Sequence, residues 1–326
     1  MSIAAAASSV SVKTLRYTSL GSALFAFALV VWGGIVRING AGMTCPDWPR
    51  CRGAWFPALD GSVVYEWTHR LGAPILTLLI IATFIAAWQA RRELPVSWRA
   101  AWYPVGLLVA QIIVGGLTIK FINNPPSVAA HLGLGISTFV SLLVVWYAAA
   151  QPTDSESAFA SLPESLSFSR LALSAAAVTF AAVLAAGYMS ASNDGLACTQ
   201  FPLCNGWGPP HSLAQQIHMA HRLLAYGAFA LVLALGLIGA RTRDSRTRSL
   251  SLVAVVIATL QIGLGVATVV SGLGPVLRSL HQANGALLFA VLVILTYASY
   301  AATAAPVVTE SAGTAAAPRR AATQSP

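Results

Sequence analysis

The fold class expected from the sequence is an all-α polytopic membrane protein. Eight transmembrane helices form two parallel-repeat four-helix bundles about a pseudo-twofold axis along the membrane normal. Three observations predict this. The 326 residues are 56% hydrophobic and only 9% charged, with mean hydropathy +0.71, against about 25% charge in soluble domains. Eight apolar segments, each near the roughly 20 residues that cross a bilayer, lie at about 17–36, 67–88, 102–121, 128–149, 170–190, 214–239, 250–270 and 279–301. Landmarks of the first half also recur in the second at offsets of 150 to 153 residues: Cys45 and Cys51 as Cys198 and Cys204, His69 as His221, Gln111 as Gln261, His131 as His281.

Each element follows from these. Lipid offers no hydrogen-bond partners, so a spanning backbone must satisfy itself as a helix. A barrel is excluded because no segment alternates polar and apolar residues with period 2. Four spans per half is an even number, so both halves enter the membrane in the same orientation. The expected organisation is a cytoplasmic tail at 1–16, an N-terminal bundle at 17–150, a polar cytoplasmic linker at 151–168 and a C-terminal bundle at 169–301. A disordered, Ala/Thr/Pro-rich cytoplasmic tail occupies 302–326. No cleavable signal is evident, and the first apolar run is expected to serve for insertion.

The net charge of +9 does not indicate nucleic acid. If the helices alternate, 12 of the 19 basic residues fall on the side holding both termini and seven on the other. The positive-inside rule then places both termini in the cytoplasm, here of a bacterial inner membrane.

The candidate chemistry gathers at the outer ends of four helices. His69, His131, His221 and His281 each lie within the first turn or two of a helix running inward. At 1.5 Å per residue they sit roughly 5–10 Å below the outer surface, one pair in each bundle. A lone intramembrane histidine is usually a packed residue, but four at repeat-related positions point to a bound group. Facing side chains in a bundle core hold cofactors, and two imidazoles in apolar surroundings suit a haem iron. Zinc or copper fits less well, because zinc takes four close ligands and the cysteines sit outside the helices. Gly72, Ala73, Gly133, Gly135, Gly285 and Ala286 either make room for a flat ring or simply let helices approach.

The halves differ three residues before the first histidine. Glu66 precedes His69, where His218 precedes His221. A carboxylate in one half alone suggests that only this half handles protons; the bland alternative is an interfacial carboxylate paired with Arg70. His218 competes with His221 as a ligand, and the shared His-Arg-Leu favours His221. His211 reads as surface. The pairs Cys45–Cys51 and Cys198–Cys204, each with a five-residue spacer, read as disulfides of an oxidising compartment. Redox activity is the sharper alternative, although redox motifs use a spacer of two. Arg70 and Arg222 are candidates to pair with haem propionates, or else to snorkel toward headgroups.

Several of these runs resemble one family. Gly34-Ile-Val-Arg37-Ile-Asn-Gly-Ala-Gly-Met-Thr-Cys45-Pro-Asp-Trp-Pro-Arg-Cys51 is similar to the first outer loop of the haem A synthases. Glu66-Trp-Thr-His69-Arg70, His131, His218-Met-Ala-His221-Arg222 and His281-Gln-Ala-Asn-Gly resemble their histidine motifs. The two-Cys loops look like the bacterial type, and Asn39 departs from an expected Thr. The resemblance implies an oxidoreductase that converts a methyl group of haem O to a formyl group by successive hydroxylations, giving haem A for terminal oxidases. It implies a haem b cofactor held by His221 and His281, haem O received between His69 and His131, and an essential Glu66. Haem O synthase and an electron donor are the implied partners, beside membrane lipid. A b-type cytochrome that only carries electrons is the alternative; a transporter is a third reading, disfavoured because the polar residues avoid the membrane centre.

Overall fold

A computed structural model describes residues 3–151, 165–242 and 244–304. The described residues form α1 (Ile3–Ile38), α2 (Val63–Gln89), α3 (Pro95–Ala100), α4 (Trp102–Lys120), α5 (Pro125–Ala150), α6 (Ser165–Ala191), α7 (Leu213–Gly239), α8 (Ser245–Val270) and α9 (Pro275–Ala304). Eight stretches are long and apolar enough to cross a membrane, the third being Pro95–Lys120 and so combining α3 with α4. Among the described residues there are isolated β-bridges but no strand. The protein is an all-α, multi-pass membrane protein.

The helices begin earlier than hydropathy alone predicts. The span expected from 67 starts at Val63, and the one expected from 128 starts at Pro125. Local chemistry sets these starts. Asn124 caps α5 by accepting from Ser127 N, with Pro125 at the first helical position. Ser212 caps α7 through Gln215 N, and Asp244 caps α8 through the amides of Arg246 and Thr247. Helix α1 already runs at Ile3, within the segment read as a tail. Most of the expected linker, 152–164, and of the expected C-terminal tail, 305–326, lies outside the described residues.

Within the first half α1 packs on α2 and α5, and α4 packs on α5. Within the second, α6 packs on α7 and α9, and α8 packs on α9. The halves meet through α1 against α9 and α5 against α6. At that seam Gly34 receives the Gln282 side chain and Gly187 receives Leu132. Both residues of the first pairing are repeat mates of those in the second. One apolar cluster, built on Ala26, Ile80, Ile136 and Phe139, also takes in Ala286 and Ala290 of α9. A second joins Ala176, Val232, Leu235, Ala258 and Leu292. Leu78, Leu237 and Val256 stay exposed on the outer faces, where lipid replaces water as the solvent.

Candidate functional site

Two long loops, following α1 and α6, fold back over the helix ends. Both disulfides are formed, Cys45 with Cys51 and Cys198 with Cys204. All four cysteines are at most 5% exposed. Each loop is pinned by the arginine that follows the first histidine of its half. Arg70 donates to the carbonyls of Cys45, Asp47 and Arg50 at 2.5–2.6 Å. Arg222 donates to those of Cys198 and Gln200 at 2.7 and 2.5 Å, and to that of Pro202 at 3.4 Å. Arg70 and Arg222, the residues expected to pair with acidic ring substituents, thus hold loop carbonyls, and both also line the cavity described below.

Glu66 and His218 hold the same place in this scheme. Glu66 Oε2 accepts from Cys45 N at 2.9 Å, and His218 Nδ1 accepts from Cys198 N at 3.3 Å. Glu66 also accepts from Thr44 Oγ1 at 3.0 Å and from Arg70 at 2.6 Å. It is 4% exposed and still lines the cavity described below. The carboxylate is thus buried rather than solvated, with an ion-pair partner on its own helix face. His218 is committed to its loop. His211 is exposed, as expected of a surface residue.

The four remaining histidines meet in two pairs. The rings of His69 and His131 are 6.5 Å apart between centroids and inclined at 77°; those of His221 and His281 are 6.4 Å apart and inclined at 78°. Three of the rings set their Cε1 edge against a glycine, His69 on Gly33, His131 on Gly115 and His281 on Gly265, where a Cβ would press on Cε1 at 2.9–3.1 Å. All four histidines line one continuous, largely apolar cavity of about 1000 Å³ that extends across both halves. Ala73, Gly135 and Gly285 line it too, whereas Gly72 and Gly133 serve helix packing against Leu29 and Leu184.

This donor set fits a flat metal macrocycle held by two axial nitrogens. Two metal–nitrogen bonds of about 2 Å, each with roughly 1 Å from nitrogen to ring centre, place facing centroids about 6 Å apart. The volume stands at the top of the usual range for small-molecule pockets, about 300–1,000 Å³. Among the described residues no three of His, Cys, Asp or Glu converge on a point, so the residues do not build a tetrahedral ion site. The Nδ1 atoms of His69, His131 and His281 are buried without partners, while His221 Nδ1 is 2.9 Å from the Ala182 carbonyl. That bond fixes the tautomer and leaves His221 Nε2 as a lone-pair donor.

Two features of the site escaped the sequence reading. Gln111 and Gln261 stood out only as repeat landmarks. Their amides lie 3.3 Å from His131 Nε2 and His281 Nε2. Arg37, in the last turn of α1, and Arg278, at the start of α9, come from different halves and line the same cavity. They lie close enough for their like charges to repel. Arg37 donates to the Ser190 and Ala191 carbonyls and to Asn193 Oδ1, and its Nε is buried without a partner. Neither arginine forms an ion pair among the described residues, where the pairs are Arg52–Asp60 and Arg70–Glu66.

Known proteins are similar to the chain in sequence. A heme A synthase of Bacillus licheniformis is 26% identical over 80% of this chain and 88% of its own length. A heme A synthase of Caulobacter sp. is 26% identical over 82% of this chain and 91% of its own length. A protoheme IX farnesyltransferase of Halobacterium salinarum is 32% identical over a shorter stretch, 42% of this chain and 30% of its own length. The family model described as cytochrome oxidase assembly protein, COX15-CtaA, matches residues 16–64 and 60–293. With its disulfide loops, its paired histidines and this match along most of its length, the chain belongs to the COX15-CtaA family of cytochrome oxidase assembly proteins.

Proposed function

We propose that the protein is a haem A synthase, an oxidoreductase that turns a methyl substituent of haem O into a formyl group. Two hydroxylations each replace a C–H bond by C–OH and withdraw two electrons, and the resulting geminal diol loses water to leave the aldehyde. Relatives named for this product cover most of the chain. The observation that carries the residue assignment is the pair of facing imidazoles found twice along one apolar cavity.

The N-terminal half, 17–150, receives haem O between His69 and His131. The C-terminal half, 169–301, holds haem b between His221 and His281. Hydrogen bonding supports this division. His221 is tied to Ala182, and Gln261 beside His281 is tied by Asn284. Neither tie has a counterpart in the first half, as suits a site that loads substrate and releases product. When bound, haem b supplies a one-electron redox centre tuned by its ligands and burial. Glu66, 4% exposed at the cavity wall, places a fixed negative charge beside the substrate half, where it stabilises positive charge developing at the oxidised carbon. Arg37 and Arg278 take the propionates, anionic partners that neither arginine has among the described residues. Basic residues favour the end opposite the disulfide loops, which supports a cytoplasmic location for both termini. The partial match to a protoheme IX farnesyltransferase supports a haem O supplier as a partner, alongside an electron donor.

Haem extraction and chromatography on the purified protein, with pyridine-haem spectra, test the reading. His69→Ala and His131→Ala should abolish haem A while the haem b spectrum persists. His221→Ala and His281→Ala should remove that spectrum. Haem A at parental level in His69→Ala sinks the assignment of the substrate half. Two equivalent haem b molecules and no haem A would establish the electron-carrying cytochrome instead.

A further inference from the structure

The glutamines beside His131 and His281 are repeat mates, but their surroundings differ. In the second half Gln261 Nε2 donates to the His281 carbonyl at 3.0 Å, and Gln261 Oε1 accepts from Asn284 Nδ2 at 2.7 Å. Asn284 is itself anchored on the Ile257 carbonyl at 3.0 Å. The amide is therefore locked on both sides, whatever His281 Nε2 binds. In the first half the mate of Asn284 is Leu134, which has no donor to offer. Gln111 Nε2 reaches His131 Nε2 at 3.3 Å, and Gln111 Oε1 is buried without a partner. Its mate-paired glycines leave equal room, Gly135 against Gln111 and Gly285 against Gln261. Space is thus the same, and the missing lock is the difference.

A buried carbonyl oxygen with no donor is costly, so it selects for a ligand that brings one. Gln111 also lines the cavity, and metal ligation by His131 Nε2 would displace its amide nitrogen, its one hydrogen-bond contact. The methyl group of haem O offers no donor, and a formyl group offers none. The alcohol left by the first hydroxylation does. Resting on the haem A synthase reading above, we propose that Gln111 is a substrate-binding residue whose carboxamide oxygen accepts a hydrogen bond from this alcohol. It holds the half-oxidised substrate in the N-terminal half until the second oxidation. Gln261, locked by Asn284, has no such role.

The test uses the full-length protein supplied with haem O, with all haems extracted and separated. It adds spectral titration with haem O and with its hydroxymethyl derivative. Gln111→Leu should release more of the alcohol relative to the aldehyde, and bind the hydroxymethyl derivative about tenfold more weakly with haem O affinity little changed. Leu134→Asn supplies the missing lock and should shift both readouts in the same direction with the amide still present. The haem b spectrum should be parental in both variants; should Gln111→Leu lose it through misfolding, Leu134→Asn decides. An unchanged alcohol-to-aldehyde ratio together with unchanged affinities overturns the inference. A parental protein that forms no haem A overturns the assigned reaction instead, a result visible before either variant is compared.

Discussion

Replacing Glu66 by glutamine separates two roles that the structure superimposes. As a loop anchor, the carboxylate accepts from Cys45 N at 2.9 Å, Thr44 Oγ1 at 3.0 Å and Arg70 at 2.6 Å. Glu66→Gln can keep its carbonyl oxygen toward Cys45 and Thr44, and turns an amide NH₂ toward Arg70. It forfeits one charge-assisted hydrogen bond, about 1.5–3 kcal/mol. Arg70 still holds three loop carbonyls, so the loop and the helix end survive. Glu66→Ala goes further: it strands a buried N–H, about 1–3 kcal/mol more, and leaves a cavity. The two variants therefore differ in stability while both lack the charge. If the negative charge acts on the developing positive carbon, Glu66→Gln should lower haem A formation by about 100-fold or more. Its haem b spectrum should stay near parental, and its melting temperature should fall by less than that of Glu66→Ala. The assay is extraction of haem O and haem A from the purified variant, with melting followed by the haem b band. Parental haem A in Glu66→Gln would refute the charge argument and reduce Glu66 to a positioning residue for the Cys45 loop.

Three further outcomes are expected. Arg278→Gln, which removes a guanidinium that donates no hydrogen bond to the described residues, should weaken haem b retention by about 10- to 100-fold in competition with apomyoglobin; unchanged retention would place the propionates elsewhere. Replacing Cys198 and Cys204 together by serine opens a short loop and should cost about 2–3 kcal/mol of stability with haem A still formed; loss of haem A at unchanged stability would show the pair to be redox-active. Asp47, outside the membrane spans, accepts from Gly53 N and Arg52 N, which holds its carboxyl below the ordinary value, the Gly53 bond foremost. A depressed carboxyl stabilises above its unfolded pKa and loses that contribution as pH falls through the folded one. Protection factors for hydrogen exchange in residues 45–53, corrected for the intrinsic pH dependence of exchange, should therefore be flat from neutral pH down to about 4 and fall below it; a fall near pH 6 would contradict this.

The spans and the paired histidines were legible in the sequence because each answers to a rule that composition exposes. Lipid forces helices, and duplication prints the same residue twice at one offset. The contacts that set function were less legible because they depend on reach. The offset of 150 residues between Gln111 and Gln261 marked them as equivalent, yet only geometry shows that Asn284 touches one and that Leu134 leaves the other bare. Arg70 and Arg222 follow ligands directly, which suggested an anionic ring substituent. The sequence did not show that turn geometry in the disulfide loops also aims carbonyls at them. Arg37 and Arg278 lie far apart in sequence, and no periodicity could have brought the end of α1 to the start of α9. Helix starts were placed late because caps such as Asn124 and Ser212 are polar and drop out of any hydropathy window.

A duplicated site evolves two jobs only if the halves come to hold their ligands differently, and the differences here are individually small. The ring pairs are nearly superimposable in separation and inclination, so coordination alone cannot distinguish them. What differs is the layer behind the rings. His221 is oriented by a carbonyl before anything binds, and Gln261 is fixed by Asn284; both lower the ordering cost of binding. His69 and His131 have no such partner for Nδ1, so binding there must also fix the rings. Each missing hydrogen bond is worth about 1 kcal/mol, and two or three of them separate a resident group from one that exchanges by roughly 100-fold in affinity.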